Sequence, residues 1–437
     1  MFIKHYKILP LTKTIDIMDF SENYNKLKEK INIVLQNPNV NDIIDLLEEA
    51  KTRQDEYHNI ELVVKADANS LYGVSASDYF SLVDYDIAEE ITTTGKGYLV
   101  VMDIAINKFF VTWGDNPENL KKIQEFYPQC TGLINFKEYK PDTVNDICVY
   151  GDTDSRYIDF GMIYDLLQGI EFPANTEEGN IELCNFILFA MKNFINPVID
   201  KCIDEETDYR NHRKGYLIME HEVTGRKSVY QKKKKYVVTQ IWKDGKMLKE
   251  PKLKVTGVEL KKGEFSPRMK KILSVLVNKF LIEDYDEDML RNECIKLIRY
   301  IKQRKEKSFI YRISSVSNLS EIYKNSEGIY VSDKTHIQMK IAASWLNFIE
   351  KNNLQKEYKG AFERQKMMYY YDMNDNVIGV PDDVNIDKVK ELPEPNWNKM
   401  LMQTLVKPLL KYIYDDEQEY DEKTCELFLL GVKKIKI

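Results

Sequence analysis

A chain of 437 residues, 43% of them hydrophobic and 11% aromatic, holds enough apolar material for about two to four folded domains and is not a disordered tail. Its six cysteines make no Cys-x-x-Cys pair and its five histidines no His-x-x-x-His pair, which argues against a zinc ribbon, a zinc-ligating helix and a disulfide framework. No apolar run reaches the ~18 residues that a bilayer span needs, and Met1-Phe2-Ile3-Lys4-His5 opens no signal-peptide core, so the expectation is a cytoplasmic protein without a membrane partner. The net charge of −7 hides an asymmetry. Residues 210–271 contain 19 Lys and Arg against 6 Asp and Glu, so this stretch carries +13 and the rest of the chain −20. Such a stretch is either a solvated lysine-rich face or the footprint of a groove that tracks phosphates.

In chain order, residues 1–20 read as an irregular lead-in around Pro10. Ser21-Glu22 is a plausible helix start, and the periodic Lys26, Leu27, Ile31, Ile33 and Val34 run on to a stop at Asn37-Pro38-Asn39. A second helix begins near Asn41-Asp42 and continues to Tyr72, with an interruption expected near His58-Asn59. Between Val74 and Phe110 lies another helical region whose Ala88, Ile91, Leu99, Val100 and Ile104 are expected in the core. Gly114, Pro117, Pro128, Gly132 and Pro141 then punctuate loops and short elements. Residues 178–206 are an amphipathic helix broken at Pro197, and Gly215–Thr224 is a strand. Tyr236–Trp242 followed by Asp244-Gly245 reads as a β-hairpin. From Ser266-Pro267 onward the chain is helix-rich and tyrosine-rich, with turns expected at Asn325–Gly328, Gly379-Val380-Pro381 and Pro393–Pro395. Tyr369, Tyr370 and Tyr371 read as core and strand residues, not as base-stacking platforms.

The chemistry-bearing stretch is Val149-Tyr150-Gly151-Asp152-Thr153-Asp154-Ser155. Flanking β-prone residues make it a hairpin tip, and in extended backbone Asp152 and Asp154 point to one side with Thr153 opposite. Two such carboxylates suit a hard divalent cation, although the same residues also make an ordinary polar turn. Upstream stands Lys65-Ala66-Asp67-Ala68-Asn69-Ser70-Leu71-Tyr72-Gly73. On a helix Lys65, Asn69 and Tyr72 fall within about 60° of one another, joining a cation, an amide and a phenol on one stripe. That combination can contact a triphosphate, a sugar and a base edge.

Together, Lys-x-x-x-Asn-Ser-x-Tyr-Gly followed by Tyr-Gly-Asp-Thr-Asp-Ser resembles motifs B and C of the family B DNA polymerases, of the T-even bacteriophage kind. The resemblance extends over nearly the whole chain. Asp16–Leu27 resembles the fingers stretch upstream of motif B, Ile91–Gly95 the palm helix after it, and Met219-Glu220-His221-Glu222 the strand with the auxiliary acidic residue. Lys233-Lys234-Lys235-Tyr236 is similar to the primer-gripping Lys-Lys-x-Tyr element, and Glu250–Lys254 with Gly257-Val258-Glu259 to the palm–thumb link. Motif A, which supplies another metal-binding aspartate, is missing, as are exonuclease motifs, and Asp67 and Arg156 depart from the family pattern.

The resemblance implies an α+β fold: a partial right-hand polymerase with a helical fingers hairpin (residues 1–73), a palm with an antiparallel sheet (74–262) and a helix-rich thumb with a tail (263–437). It implies two Mg²⁺ ions, with Asp154 bridging both, Asp152 peripheral and Glu222 facing the metal site. Lys65 would hold the incoming deoxynucleoside triphosphate, Asn69 and Tyr72 would check sugar and base-pair geometry, and Lys233, Lys234, Lys235 and Tyr236 would hold primer-template DNA. A single Asp-Thr-Asp turn leaves two Mg²⁺ ions under-coordinated, so the expectation is a C-terminal subunit or fragment of a split polymerase. An N-terminal chain would then bring motif A and the exonuclease. Met1 and an apparent break inside the fingers fit that expectation. The alternative is an inactive remnant that binds primer-template DNA. The apolar Leu427–Leu430 followed by Lys433-Lys434 is either a contact for a sliding clamp or a last packed helix.

Overall fold

The computed structural model describes residues 2–6, 17–36, 39–79, 83–135, 147–152, 155–212, 214–215, 217–317, 319–332, 336–358, 360–361, 364–414 and 420–431. These fall into two compact units, Met1–Glu222 and Val223–Ile437. Helices and small antiparallel sheets are mixed in an α+β arrangement.

The first unit opens with a short strand, β1 (Phe2–Tyr6), and two antiparallel-leaning long helices, α1 (Ile17–Gln36) and α2 (Val40–Ser75). The Asn39 side chain accepts from the Asn41 amide and caps α2, which satisfies a donor that the first helical turn leaves without a partner. The interruption expected at His58-Asn59 does not occur, and α2 runs unbroken for 36 residues. Neither residue removes a backbone donor as proline does, and the weak helix propensity of each costs only about 0.7 kcal/mol or less.

Helix α3 (Tyr85–Val111) starts at Asp84, whose carboxylate accepts from the amides of Asp86 and Ile87. Its buried stripe is Ala88, Leu99, Met102, Ile106 and Phe110, with Tyr98 beside it. The expectation that Ile91, Val100 and Ile104 also lie in the core is corrected: they are 46%, 43% and 59% exposed. At 3.6 residues per turn, Val100 and Ile104 stand about 100° and 140° from Leu99, off the buried stripe, whereas Ile91 is within about 20° of Met102 in phase but lies in the largely exposed N-terminal half of α3.

Beyond α3 come α4 (Pro117–Phe126), β2 (Gly132–Leu133), β3 (Cys148–Asp152), β4 (Ser155–Ile158) and β5 (Leu167–Gln168). Strand β4 pairs with both β3 and β1, and β2 pairs with β5. The expected amphipathic helix is Glu177–Ala190 and Asn196–Tyr209, joined by a π-helical turn at Met191–Ile195. The break thus comes just before Pro197, which lacks the amide a continuous α-helix would use there. Edge-to-face rings fill the space between these elements, with Trp113 5.3 Å from Phe110 and 5.4 Å from Phe194.

Strand β6 (Met219–Lys232) starts at the end of the first unit and runs through the start of the second. It begins four residues later than Gly215, which takes φ +78° in a turn. In the second unit β6 pairs with β7 (Lys235–Lys243), and β7 with β8 (Lys246–Thr256). The Asp-Gly turn forms as the sequence suggests, with Asp244 and Gly245 at φ +45° and +82°, the left-handed pair that a two-residue hairpin requires.

A second small sheet joins β9 (Arg312–Ser315), β12 (Lys366–Tyr371) and β13 (Val377–Pro381), while β10 (Tyr323–Lys324) and β11 (Tyr330–Val331) pair around the expected Asn325–Gly328 turn. The turn expected at Gly379-Val380-Pro381 is instead the end of β13. Gly379 lies against the backbone of Ile341 on the helix Ile337–Lys351, where a Cβ would collide, so this glycine marks a close strand–helix approach. Tyr369 and Tyr370 on β12 are buried, Tyr370 with its hydroxyl donating to the Pro393 carbonyl at 2.7 Å. One continuous core gathers Ile341, Trp345, Tyr370, Leu405 and Leu409. The helix Glu422–Leu429 seals it with Cys425 and Phe428, leaving Leu427 and Leu430 outside.

Candidate polymerase site

The β3–β4 hairpin pairs Tyr150 with Tyr157, Gly151 with Arg156 and Asp152 with Ser155. Thr153 and Asp154, the two residues between the strands, lie outside the described residues. Asp152 is therefore the last residue of β3 and is partly exposed. Below it, Tyr150 and Tyr157 meet edge to face at 5.1 Å, and Tyr157 and Ile158 go into the core. In β4 all but Arg156 are buried, while β3 is half-buried with Val149 exposed at a bulge.

An unforeseen feature braces this hairpin. The Arg156 guanidinium crosses over Gly151 and donates from Nε to the Asp103 carboxylate on α3 at 2.5 Å. The Cys148 thiol lies near the same carboxylate. Burial pushes the Asp103 carboxyl upward, and the Arg156 charge pulls it back in part. Burial, and then the neighbouring Asp103 charge, push the Cys148 thiol up to about 12, so it stays protonated and able to donate. Neither partner was legible as such, because Asp103 and Arg156 stand 53 positions apart and sequence alone shows no register between a helix and a strand.

Lys65, Asn69 and Tyr72 all lie on the unbroken α2, so the stripe read from helical spacing exists in the backbone, and the side chain of Lys65 lies outside the described ones. Asn69 is exposed and Tyr72 is 39% exposed, which leaves amide and phenol open to a ligand. Ser70 turns its hydroxyl back to the Ala66 carbonyl at 2.7 Å and so serves the helix itself. Glu222 is partly buried near the start of β6. Among the described residues no group of three His, Cys, Asp or Glu side chains converges to hold a metal ion. Carboxylates are the right donors for Mg²⁺, but those described do not complete a site by themselves.

In the second unit Lys233 and Lys234 form the turn between β6 and β7, both exposed, with Lys234 at φ +61°. Gly257, at φ +62°, lies against the Lys234 carbonyl where any Cβ would collide, so the end of β8 supports the turn from behind. Tyr236 is buried and meets the ring of Tyr230 at 6.0 Å, bracing the lysines from within the sheet. Lys252 and Lys254, two apart on β8, add charge to one face. Beyond the sheet, buried Glu259 accepts from Lys411 at 3.1 Å and lies 3.5 Å from Lys262. Burial acts to raise its carboxyl, but Lys411 and Lys262 outweigh it and hold the group below its ordinary range.

The class that this fold and site define is an α+β protein with an acidic antiparallel hairpin behind a long helix, and with a separate basic hairpin turn. Residues 42–178, which include α2, α3 and the acidic hairpin, match the DNA polymerase family B sequence model. The chain is also 22% identical over 373 residues to the DNA-directed DNA polymerase of Escherichia phage RB69, an overlap of 81% of this chain and 37% of that protein. These findings identify the chain as a relative of the phage family B DNA polymerases, and it spans well under half the length of that relative.

Proposed function

We propose that this chain forms the later fingers, the palm around the acidic hairpin and the thumb of a DNA-directed DNA polymerase, and that it works with a second chain supplying motif A. The observation that carries the reading is Asp152 at the tip of the β3–β4 hairpin, inside the stretch that matches the family B model. Asp152 and Asp154, with Glu222 as auxiliary carboxylate, would hold Mg²⁺ jointly with an aspartate from the other chain. Two such ions, when bound, lower the pKa of a primer 3′-hydroxyl and neutralise the leaving phosphates. Lys65 offers its ammonium to the triphosphate of an incoming deoxynucleotide, and exposed Asn69 and Tyr72 present donors and acceptors one and two turns along the same stripe. Lys233 and Lys234 face solvent at a rigid turn and offer charge to a primer-template phosphate backbone, with Lys235 and Tyr236 anchoring the turn in β7. Leu430 beyond the last helix leaves a short apolar surface for a sliding clamp.

The test is Mg²⁺-dependent primer extension by the purified chain, alone and co-produced with the protein encoded immediately upstream. Extension only in the two-chain preparation, abolished by Asp154→Asn, is the expected result. Salt-dependent binding of primer-template DNA with no extension in either preparation would leave a DNA-binding protein without polymerase activity.

A further inference from the structure

In the acidic hairpin β4 is paired on both sides, with β3 and with β1, and buries Tyr157 and Ile158, whereas β3 is half-buried with Val149 exposed. A further attachment of β4 is ionic. Arg156 keeps only 12% of its side chain exposed and Asp103 32%, and their 2.5 Å contact joins β4 to the middle of α3. Three features make this a built contact. Position 151 has no side chain, and any Cβ there would overlap the Arg156 guanidinium, so the glycine opens the path that the arginine takes across the hairpin. On the far strand, the Cys148 thiol lies near enough to the same carboxylate to act on its titration. Arg156 also donates from a terminal nitrogen to the Ser155 carbonyl at 3.2 Å, and Ser155 is the residue paired with Asp152.

We infer that Asp103 and Arg156 are positioning residues that fix the Asp152-bearing hairpin against α3 and thereby set the catalytic carboxylate's place. The functional half of this statement rests on the polymerase reading above. Arg156 occupies one residue beyond Ser155, and its guanidinium touches the backbone on either side of the turn through Gly151 and Ser155. Removing either charged group leaves the other partly buried without its partner, and the hairpin is the lighter of the two elements and the one that would shift. Small displacements of a reacting carboxylate lower turnover more than substrate binding.

The experiment uses the full chain carrying Arg156→Ala, Asp103→Asn, or the exchange Asp103→Arg with Arg156→Asp. Deuterium uptake is followed in peptides spanning residues 147–158, with peptides of the helix Glu177–Ala190 as internal reference. Each single variant is expected to speed exchange in the hairpin on the order of tenfold with the reference unchanged, and the exchanged pair to restore most of the protection. In the two-chain preparation the single variants are expected to lower kcat about 100-fold with KM for deoxynucleotide within about twofold, and the exchanged pair to recover part of it. Hairpin exchange at the wild-type rate in Arg156→Ala overturns the inference, as does faster exchange that spreads equally to the reference helix. Normal kcat with a loosened hairpin overturns the positioning role. If the wild-type two-chain preparation extends no primer, the polymerase reading fails instead, and the deuterium arm still decides whether the pair holds the hairpin.

Discussion

The α1–α2 hairpin and the core of the second unit use apolar residues in opposite ways. Along α1 and α2, Ile33, Leu35, Val40, Leu47 and Val63 are 60–72% exposed, and Lys30 reaches Glu49 across the pair at 2.6 Å. In the second unit Trp345 is fully buried, with its ring stacked on Phe348 and edge-on to Tyr358, both at 5.6 Å. The first region is a pair of helices with few neighbours, and the second is a closed core ringed by helices and a sheet. Similar sequence hydrophobicity therefore has different consequences. Where neighbours surround a side chain, burial stabilises by about 25 cal/mol per Å² of apolar surface, and where they do not, the same residue contributes little. The region that carries Asn69 and Tyr72 is the one with little core of its own.

The contrast can be broken most severely in the core. Trp345→Ala is expected to cost about 3–5 kcal/mol in the urea unfolding of the second unit, because it removes a large ring and leaves a cavity that helices cannot close. A cost below about 1 kcal/mol would mean that this core is not the closed one described. Glu259→Gln comes next, at about 1–3 kcal/mol near neutral pH, since it leaves Lys411 and Lys262 facing an uncharged amide. The Glu259 carboxyl is held below its ordinary value of 4.5, so its contribution is fully present above pH 4.5 and is lost as the pH falls through the lower folded value. Unfolding midpoints taken from pH 6 downward should therefore fall more steeply in the wild type than in Glu259→Gln over the acidic end. Parallel profiles would remove Glu259 from the account. Smallest of all, Leu47→Ala on α2 is expected to change stability by about 0.5 kcal/mol or less, measured by thermal unfolding. A large loss there would show that the apolar face of α2 is covered in solution.

Much of the site could be read before any fold was known. The Asp-Gly turn of the β7–β8 hairpin and the acidic hairpin around Gly151-Asp152 both depend on neighbours within a few residues, and local backbone preferences decide them. Errors came where the outcome depends on distant partners. Gly379 was read as a turn because glycine permits one, but the helix Ile337–Lys351 needs that space. Ile91, Val100 and Ile104 are apolar, but the phase of α3 turns Val100 and Ile104 outward, and Ile91 lies in the half of α3 that little else covers.

By itself the sequence determined most of the elements and the local patterns: the helical stripe of Lys65, Asn69 and Tyr72, the carboxylates around Thr153, the basic excess of residues 210–271 and the resemblance to family B polymerases. Only the tertiary structure decided which face of each helix is covered and that Arg156 crosses Gly151 to reach Asp103. Periodicity and turn chemistry act within a few residues and are written along the chain. A salt bridge between residues 103 and 156 depends on how a helix and a hairpin are set against each other, and that is fixed by the packing of everything between them.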